Sequence, residues 1–308
     1  MQKCILYFTA FVLFVCWCST ADCQYYFYNK DYYEPALIWE TGVSAGGMNC
    51  LTDLGGKKGV GRKFIKDINW NATCPSGSLF VGANYKDLIG ARLELAFGEV
   101  KASDNVLKND RSAAYERYIR NLNFRSGIRE LSFLIKLNPF SIFEHYDADP
   151  PLINPYILVG IGSFSFSPEI FYNNTWISVS GFHTEGQGFE EYPDRRAYKL
   201  TQFNIPVGMG CTYEASPVLS FHFEITYRKL WTDYLDDVSK HYIDPGLFQQ
   251  YFTPAKAYLA TKLADRRLTN NSGLINLPGD IRGNEKNNDA YFSGLLKVAF
   301  IIGRQRRW

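Results

Sequence analysis

The sequence predicts an all-β fold, an eight-stranded antiparallel transmembrane β-barrel with long outer loops. Three observations predict it. Apolar and polar residues alternate along most of eight stretches, a secretion signal precedes them, and the links between them alternate in length. An apolar face and a polar face on each strand suit a barrel whose wall meets lipid and whose lining is polar. Residues 24–308 are predicted to form one outer-membrane barrel domain behind a signal peptide at residues 1–23.

The first 23 residues have the parts of a secretory signal peptide. Lys3 supplies the basic start, residues 5–18 are mostly apolar, and Ala21 and Cys23 occupy the small-residue positions before a cleavage site. The apolar run is shorter than the roughly 20 residues of a membrane-spanning helix. A lipoprotein signal is the alternative, but no cysteine in this region follows a small residue. We therefore expect an exported chain that crosses the bacterial outer membrane several times.

Period-two alternation defines the strands. It is clearest at residues 219–228, where Leu, Phe, Phe, Ile and Tyr alternate with Ser, His, Glu, Thr and Arg. The eight predicted strands are 37–46, 78–87, 89–101, 124–138, 155–166, 199–213, 218–231 and 290–303.

The cost of charge in lipid predicts which face of each strand points outward. Arg or Lys on the lipid face costs roughly 2–4 kcal/mol near the midplane, and a one-residue slip would exchange the two faces. Because an eight-stranded barrel has room inside only for side chains, we expect an interior filled by paired charges and no wide channel. The predicted inward polar network consists of Glu40, Arg92, Glu94, Glu130, Lys136, His222, Glu224, Arg228 and Lys297. Four glycines are predicted on the same face: Gly160, Gly162, Gly208 and Gly210.

The links between strands alternate in length. The shorter links lie near residues 87–88, at 139–154 and at 215–217, and the longer ones at 47–77, 102–123, 167–198 and 232–289. Outer-membrane barrels have short periplasmic turns and long outer loops. Helical spacing predicts helices at 112–122 and 254–268, the second beginning with Pro in its first turn. A soluble lipocalin-like barrel, with its apolar face inside and the charged set outside, remains the main alternative.

The sequence contains no motif that indicates catalysis. The net charge of +2 is too small to indicate a nucleic-acid-binding surface. None of the histidines has metal-ligand spacing to another, and His222 is predicted inward beside Glu224 as part of the interior network. Residues 55–63 superficially resemble a phosphate loop but lack its Gly-Lys-Ser/Thr ending. We therefore expect no enzyme, cofactor or metal, with a barrel lipid hydrolase using His222 as the weakest alternative.

Four aspartates follow the seventh predicted strand: Asp233, Asp236, Asp237 and Asp244. Carboxylate oxygens suit calcium, but the spacing does not match an EF-hand loop. The alternative, which we favour, is a turn region in which Asp side chains accept backbone hydrogen bonds.

Cys50 and Cys74 fall in one predicted loop. In an oxidising compartment two such cysteines could form a disulfide. Two free thiols are the alternative, and the sequence alone leaves both open.

Several segments, taken in order, carry a resemblance to a known family: 40–54, 154–162, 184–188, 227–239, 242–245, 263–266 and 282–284. With them the mature chain resembles the PorG family of outer-membrane barrels, part of the type IX protein secretion machinery of Bacteroidota. The resemblance implies a non-enzymatic component that anchors or assembles the periplasmic ring formed by the PorK lipoprotein and PorN. The chain departs from the family at Cys50, where an aromatic residue is commoner, and at Ala290, where Trp is commoner.

The resemblance also implies two interaction loops. Their residues are Thr184, Glu185, Gly186, Gln187 and Gly188 in one loop and Asp233, Tyr234, Asp236 and Asp237 in the other. The alternative function is a standalone small outer-membrane barrel that contacts outer-membrane lipid and binds surface ligands through its loops.

Overall fold

The computed structural model describes residues 32–33, 36–54, 68–108, 115–139, 153–268 and 276–306. It confirms the predicted fold, a closed eight-stranded antiparallel barrel. Each strand pairs with its neighbours in the chain, and β8 pairs with β1, so the barrel wall has no open edge. The strands are β1 Leu37–Leu51, β2 Cys74–Tyr85, β3 Ile89–Ser103, β4 Asn123–Leu137, β5 Ile153–Tyr172, β6 Thr201–Ser216, β7 Leu219–Leu230 and β8 Ala290–Ile302.

The wall is apolar on the outside. Leu93, Leu131 and Phe223 are each about half exposed, while their chain neighbours Arg92, Glu130 and Glu224 are buried. This register is the one predicted from the cost of charge in lipid, and it is the opposite of the lipocalin-like arrangement. Among the residues that the structure describes, no helix has the length and hydropathy to cross a bilayer.

Several strands extend past the ends predicted from the sequence, whereas β7 is one residue shorter at each end and β8 one residue shorter at its end. β3 has 15 residues and β5 has 20, whereas roughly 9–11 tilted residues span a bilayer. Most of the added residues lie at the end of the barrel with the long links. There the outward face turns polar, with Lys101 on β3 and Arg125 on β4. On β5, which the sequence ended at residue 166, the outward Ser167 and Glu169 are polar and the inward Ile170 is apolar, so the alternation of a lipid-facing strand stops before the strand does.

The links confirm the predicted alternation in length. The links at 86–88 and 217–218 are short, and Lys86 and Asp87 adopt φ of 51° and 49°, the left-handed pair that a tight hairpin requires. A two-stranded ribbon, Tyr32–Tyr33 with Gln305–Arg306, lies beyond the barrel strands at the same end. The predicted signal peptide, the 55–63 segment and most of the 139–154 link lie outside the described residues.

The four long links meet at the opposite end in one body, here called the headpiece. It comprises the described residues of links 52–73, 104–122, 173–200 and 231–289. Its helices are α1 Tyr115–Arg120, α2 Phe248–Tyr251 and α3 Pro254–Ala264. The predicted helix at 254–268 ends early because the backbone turns extended at Asp265. Aromatic residues form part of the headpiece core, where the Phe189 and Tyr251 rings stack with centroids 3.9 Å apart.

An arginine on the outward face of the barrel tests this register. Leu93→Arg would place a charge in lipid, and we expect it to lower the free energy of unfolding in vesicles by about 2–4 kcal/mol. Ile281→Arg is the matched control, because Ile281 is 76% exposed in the headpiece. Equal losses in the two variants, measured by urea unfolding in lipid vesicles, would contradict a lipid-facing Leu93.

Candidate functional site

Four charged side chains form a closed ring of ion pairs inside the barrel. Arg92 lies 2.7 Å from Glu224 and 3.1 Å from Glu94. Lys297 lies 2.6 Å from Glu94 and 3.3 Å from Glu224. Since two cations alternate with two carboxylates, every buried charge contacts partners of opposite sign. The side chains come from β3, β7 and β8, so the ring ties opposite parts of the wall together.

A second cluster surrounds Glu130 on β4. Its carboxylate accepts hydrogen bonds from Arg228 Nε at 3.0 Å, from Tyr291 Oη at 3.0 Å and from Asn204 Nδ2 at 3.3 Å. Arg228 also donates to Ser293 Oγ. Glu130 and Arg228 are both almost fully buried. The cluster therefore fills the barrel towards the headpiece end with paired groups.

His222 occupies a third cluster, towards the short-turn end. Its Nδ1 lies 3.1 Å from Thr212 Oγ1 and its Nε2 lies 3.2 Å from Ser220 Oγ. Glu40 is 3.8 Å from the same Nε2, and Lys136 donates to Thr212. A catalytic triad would need the acid on the ring nitrogen opposite the serine. Here both groups face one nitrogen and Ser220 is buried, so the arrangement is not that of a serine hydrolase.

The structure places all nine residues of the predicted interior network inside the barrel, each at most 7% exposed. Sequence reasoning missed their uncharged partners, such as Tyr156, which donates to Glu224 at 2.9 Å. Strand parity was the available signal, because Tyr156 is on the inward face of β5. Gly210 makes room for it, since a Cβ there would lie 2.6 Å from the Tyr156 ring.

Arg282 is the centre of the headpiece. It is fully buried and donates to Glu185 at 2.9 Å, to the Asp237 carbonyl at 2.6 Å and to the Ala264 carbonyl at 3.2 Å. Glu185 in turn accepts from the backbone N–H groups of Ser239 and Lys240, each at 3.0 Å. This Glu185–Arg282 lock joins the loop after β5 to the loop after β7.

Further hydrogen bonds extend the lock to every long link. Asp237 accepts from Thr184 Oγ1 and from Tyr198 Oη, each at 2.6 Å. Arg120 pairs with Asp104 at 2.8 Å and donates to the Arg282 carbonyl and, in the first link, to the carbonyl of Asp53. Polar groups from all four links therefore meet in one buried core.

This core corrects the expectation of two interaction loops. The structure buries most of the side chains that the resemblance singled out, and they hold the headpiece together instead of presenting a surface. Buried are Thr184, Glu185, Gly186, Gln187, Asp233, Asp236 and Asp237, while Tyr234 is partly buried and Gly188 is exposed. The physical reason is that these side chains supply hydrogen-bond acceptors to buried donors such as Arg282 and Tyr198.

Two of the four aspartates after β7 accept backbone hydrogen bonds at turns. Asp236 Oδ1 accepts from the Val238 backbone N–H, and Asp244 Oδ1 accepts from Gly246 at the start of a short 3-10 helix. In the part of the chain that the structure describes, no group of three or more His, Cys, Asp or Glu side chains is arranged to hold a metal ion.

Cys50 and Cys74 are free thiols, so the disulfide that the sequence left open is not formed. The two cysteines lie in adjacent strands, where Cys74 is paired in register with Met48 and not with Cys50. A diagonal pair of this kind has Cα atoms about 7–8 Å apart, beyond the usual span of a disulfide.

Burial raises the pKa of several headpiece carboxyl groups. Burial and the neighbouring Asp53 carboxylate raise the pKa of Asp233 to about 9. Burial raises the pKa of Asp237 to about 7, against the opposing effect of Arg282. Burial and the Asp53 carboxylate also place the pKa of Asp236 well above its usual range. Burial and the Asp236 carboxylate do the same for the pKa of Asp289. The folded headpiece therefore binds protons that an unfolded chain would release.

Two cavities open at the headpiece. One, of about 970 Å³, is lined by residues of the first, second and fourth links, including Asp53, Arg120 and Asp289. The other, of about 530 Å³, lies between the ends of β3 and β4 and the short strand Thr175–Ser178. Lys101 lines both cavities.

No protein-family model and no curated protein matches this sequence. Solved structures do resemble the fold. The attachment invasion locus protein Ail of Yersinia pestis is 8% identical with a TM-score of 0.34, over 86% of this chain and 97% of Ail. Neisserial surface protein A is 10% identical with a TM-score of 0.36, over 85% and 96%. A major outer membrane protein of Thermus thermophilus is 13% identical with a TM-score of 0.39, over 87% and 100%. These identities support no transfer of function to this chain.

Removing one charge from the interior ring should be costly. Lys297→Met leaves Glu94 and Glu224 with one cation fewer in a buried site. We expect this change to lower the free energy of unfolding by about 3–5 kcal/mol. Adding Glu94→Gln should recover part of that loss because it removes the uncompensated charge. Lys199→Met, at an exposed position, is the control. A Lys297 variant as stable as this control in urea unfolding would rule out a stabilising role for the ring.

The headpiece should loosen as pH rises. A carboxyl pKa raised above its usual 3.8 contributes stability that is present below that value and is lost as pH rises through the folded pKa, about 7 for Asp237 and about 9 for Asp233. We expect the backbone amides of 233–240 to lose hydrogen-exchange protection between pH 6 and pH 9.5. Asp233→Asn should reduce this dependence.

Asp194→Asn is the control for that experiment, because the hydrogen bond from Lys240 lowers the pKa of Asp194 and keeps it ionised throughout the range. Protection that is flat with pH in the unmodified protein would show that these carboxyl groups do not titrate with headpiece opening.

Proposed function

We propose that this chain is a non-enzymatic barrel of the bacterial outer membrane that acts as an assembly or binding element. The observation that carries the proposal is the Glu185–Arg282 lock. A fully buried ion pair joins two loops that are 97 residues apart in sequence. Ordering long loops costs conformational entropy, and a chain that only needed to link strands could use short ones. Four long links that pack into one body therefore indicate a function beyond closing the barrel.

The barrel interior supports a role other than transport. The ring of Arg92, Glu94, Glu224 and Lys297 lies across an eight-stranded barrel, whose interior has room only for side chains. Passage of a solute would require these pairs to separate, and an uncompensated buried charge is strongly unfavourable. His222 and Ser220 lie in the same packed interior, which supports a function without catalysis.

The finer proposal is a component of the type IX secretion machinery that anchors or assembles the periplasmic ring of PorK and PorN. Its support is the resemblance noted in the sequence. Three of the segments that carry the resemblance supply the central residues of the headpiece core, Glu185, Asp237 and Arg282. These segments are 184–188, 227–239 and 282–284. The resemblance thus lies in the residues that build the headpiece and in the wall beneath it.

A periplasmic partner would meet the other end of the molecule. Outer-membrane barrels turn their short links towards the periplasm. In this chain that end carries the hairpin at 86–88, the hairpin at 217–218 and the ribbon of Tyr32–Tyr33 with Gln305–Arg306. The ribbon extends past the barrel wall and is the natural contact for a ring on the periplasmic side.

The alternative is a standalone barrel that binds a surface ligand through its headpiece. The two headpiece cavities, of about 970 and 530 Å³, favour it, because ligand sites of small molecules have volumes in this range. Both functions use the same barrel and differ in which end of it binds a partner.

A pull-down from outer membranes distinguishes the two functions. The tagged protein is extracted in mild detergent and its partners are identified by mass spectrometry. We expect ring subunits to co-purify with the unmodified protein and with Ile281→Glu, which alters an exposed headpiece residue. We expect Val218→Glu, at a short turn where Val218 is 57% exposed, to lose them. A protein that purifies alone, or a loss confined to Ile281→Glu, would contradict the ring-anchoring proposal.

A further inference from the structure

A strip of cations runs up the outside of the barrel just above its apolar belt. Lys101 on β3 pairs in register with Arg125 on β4, and Arg129 lies four residues below Arg125 on the same outward face. The register partner of Arg129 is Phe97, which is 43% exposed at the upper edge of the belt. Lys101, Arg125 and Arg129 form the basic strip.

The depth of the basic strip matches the headgroup region of a bilayer. Strands rise about 3.3 Å per residue, so Lys101 lies roughly 10 Å above Phe97 along a tilted strand. Apolar side chains at Phe97 and Leu131 fix the edge of the lipid core on these two strands. The basic strip therefore faces lipid headgroups and not bulk solvent.

Two carboxylates accompany the basic strip. Glu169 pairs with Arg125 at 2.6 Å with both side chains about one-third exposed, and an exposed pair of this kind is weak. Glu99 lies on the outward face between Phe97 and Lys101. Within the described chain, no carboxylate is at ion-pair distance from Lys101 or Arg129, which leaves these two cations available to an anion.

The smaller cavity opens directly above the basic strip and is rich in amides. Five of its lining residues are asparagines: Asn69, Asn71, Asn105, Asn121 and Asn123. A side-chain amide offers donors and an acceptor together, as a sugar hydroxyl does. The side chains of Asn71 and Asn105 are exposed and make no hydrogen bond within the part of the chain described. Phe171 and Trp176 add aromatic surface, each nearly 40% exposed.

We propose that this cavity and the basic strip bind the phosphorylated saccharide headgroup of an outer-leaflet glycolipid. Lys101 and Arg129 contact phosphate, the asparagine amides contact sugar hydroxyls, and the acyl chains lie against the apolar wall below Phe97. Charge-assisted bonds to phosphate are the strong contacts, so they set the affinity. The inference rests on the proposed outer-membrane location and is independent of any role in secretion.

Native mass spectrometry of the detergent-solubilised full chain tests it, with bisphosphorylated lipid A and its dephosphorylated form as probes. We expect the unmodified protein to prefer the phosphorylated probe. Lys101→Gln with Arg129→Gln should weaken binding of that probe by at least about tenfold and abolish the preference. The double variant Asn71→Ala with Asn105→Ala should weaken binding of the phosphorylated probe and of the dephosphorylated probe equally.

Lys229→Gln with Lys199→Gln is the matched control, because both lysines are exposed, Lys229 on β7 and Lys199 just before β6. These variants should bind as the unmodified protein does. Equal weakening by the control pair, or no preference for phosphate in the unmodified protein, would overturn the site.

The phosphorylated disaccharide without acyl chains distinguishes the sources of the headgroup. Weaker binding of this soluble probe than of lipid A supports a membrane glycolipid, and equal binding would overturn the role of the apolar wall. The pull-down does not affect this result, so failure of the secretion proposal and failure of the glycolipid site are separate outcomes.

Discussion

The pairing of charge inside a narrow barrel is the constraint on which the rest of the structure depends. A wall that meets lipid must present apolar side chains outward, and alternation then sends the other half of each strand inward. In this chain that half contains Arg92, Glu94, Glu224 and Lys297, so the interior must bring opposite charges together. The ring they form sets the register of β3, β7 and β8 relative to one another. The interior of this barrel is therefore occupied by paired side chains.

The headpiece, which lies outside the membrane, is also held together by buried paired charges. Its core is polar and contains Arg282 and Glu185, both fully buried, and Glu185 also accepts hydrogen bonds from two backbone N–H groups. Buried carboxyl groups such as Asp233 and Asp237 have raised pKa values, which couples the order of these loops to protonation. A headpiece held in this way has one conformation to offer a partner, unlike four independent loops.

The arrangement separates the surfaces of the molecule by chemistry. The short-turn end carries the terminal ribbon of Tyr32–Tyr33 and Gln305–Arg306, the surface on which the ring-anchoring proposal relies. The headpiece end carries amide-lined cavities and, on the outer wall, the basic strip, which suit sugars and phosphates. The two proposals made here concern different ends of the barrel and do not compete for residues.

The sequence by itself determined the barrel, its register and its interior charges, because each follows from local alternation and the cost of charge in lipid. Arg92 and Lys297 had only one face on which to lie. The tertiary structure alone decided which charges pair, since Arg92 and Glu224 are 132 residues apart. It also decided the fate of the loops at 184–188 and 233–237, which the resemblance suggested as surfaces and the fold buries. Loop packing depends on contacts between distant segments, such as Glu185 with Arg282, and no local pattern in the chain records them.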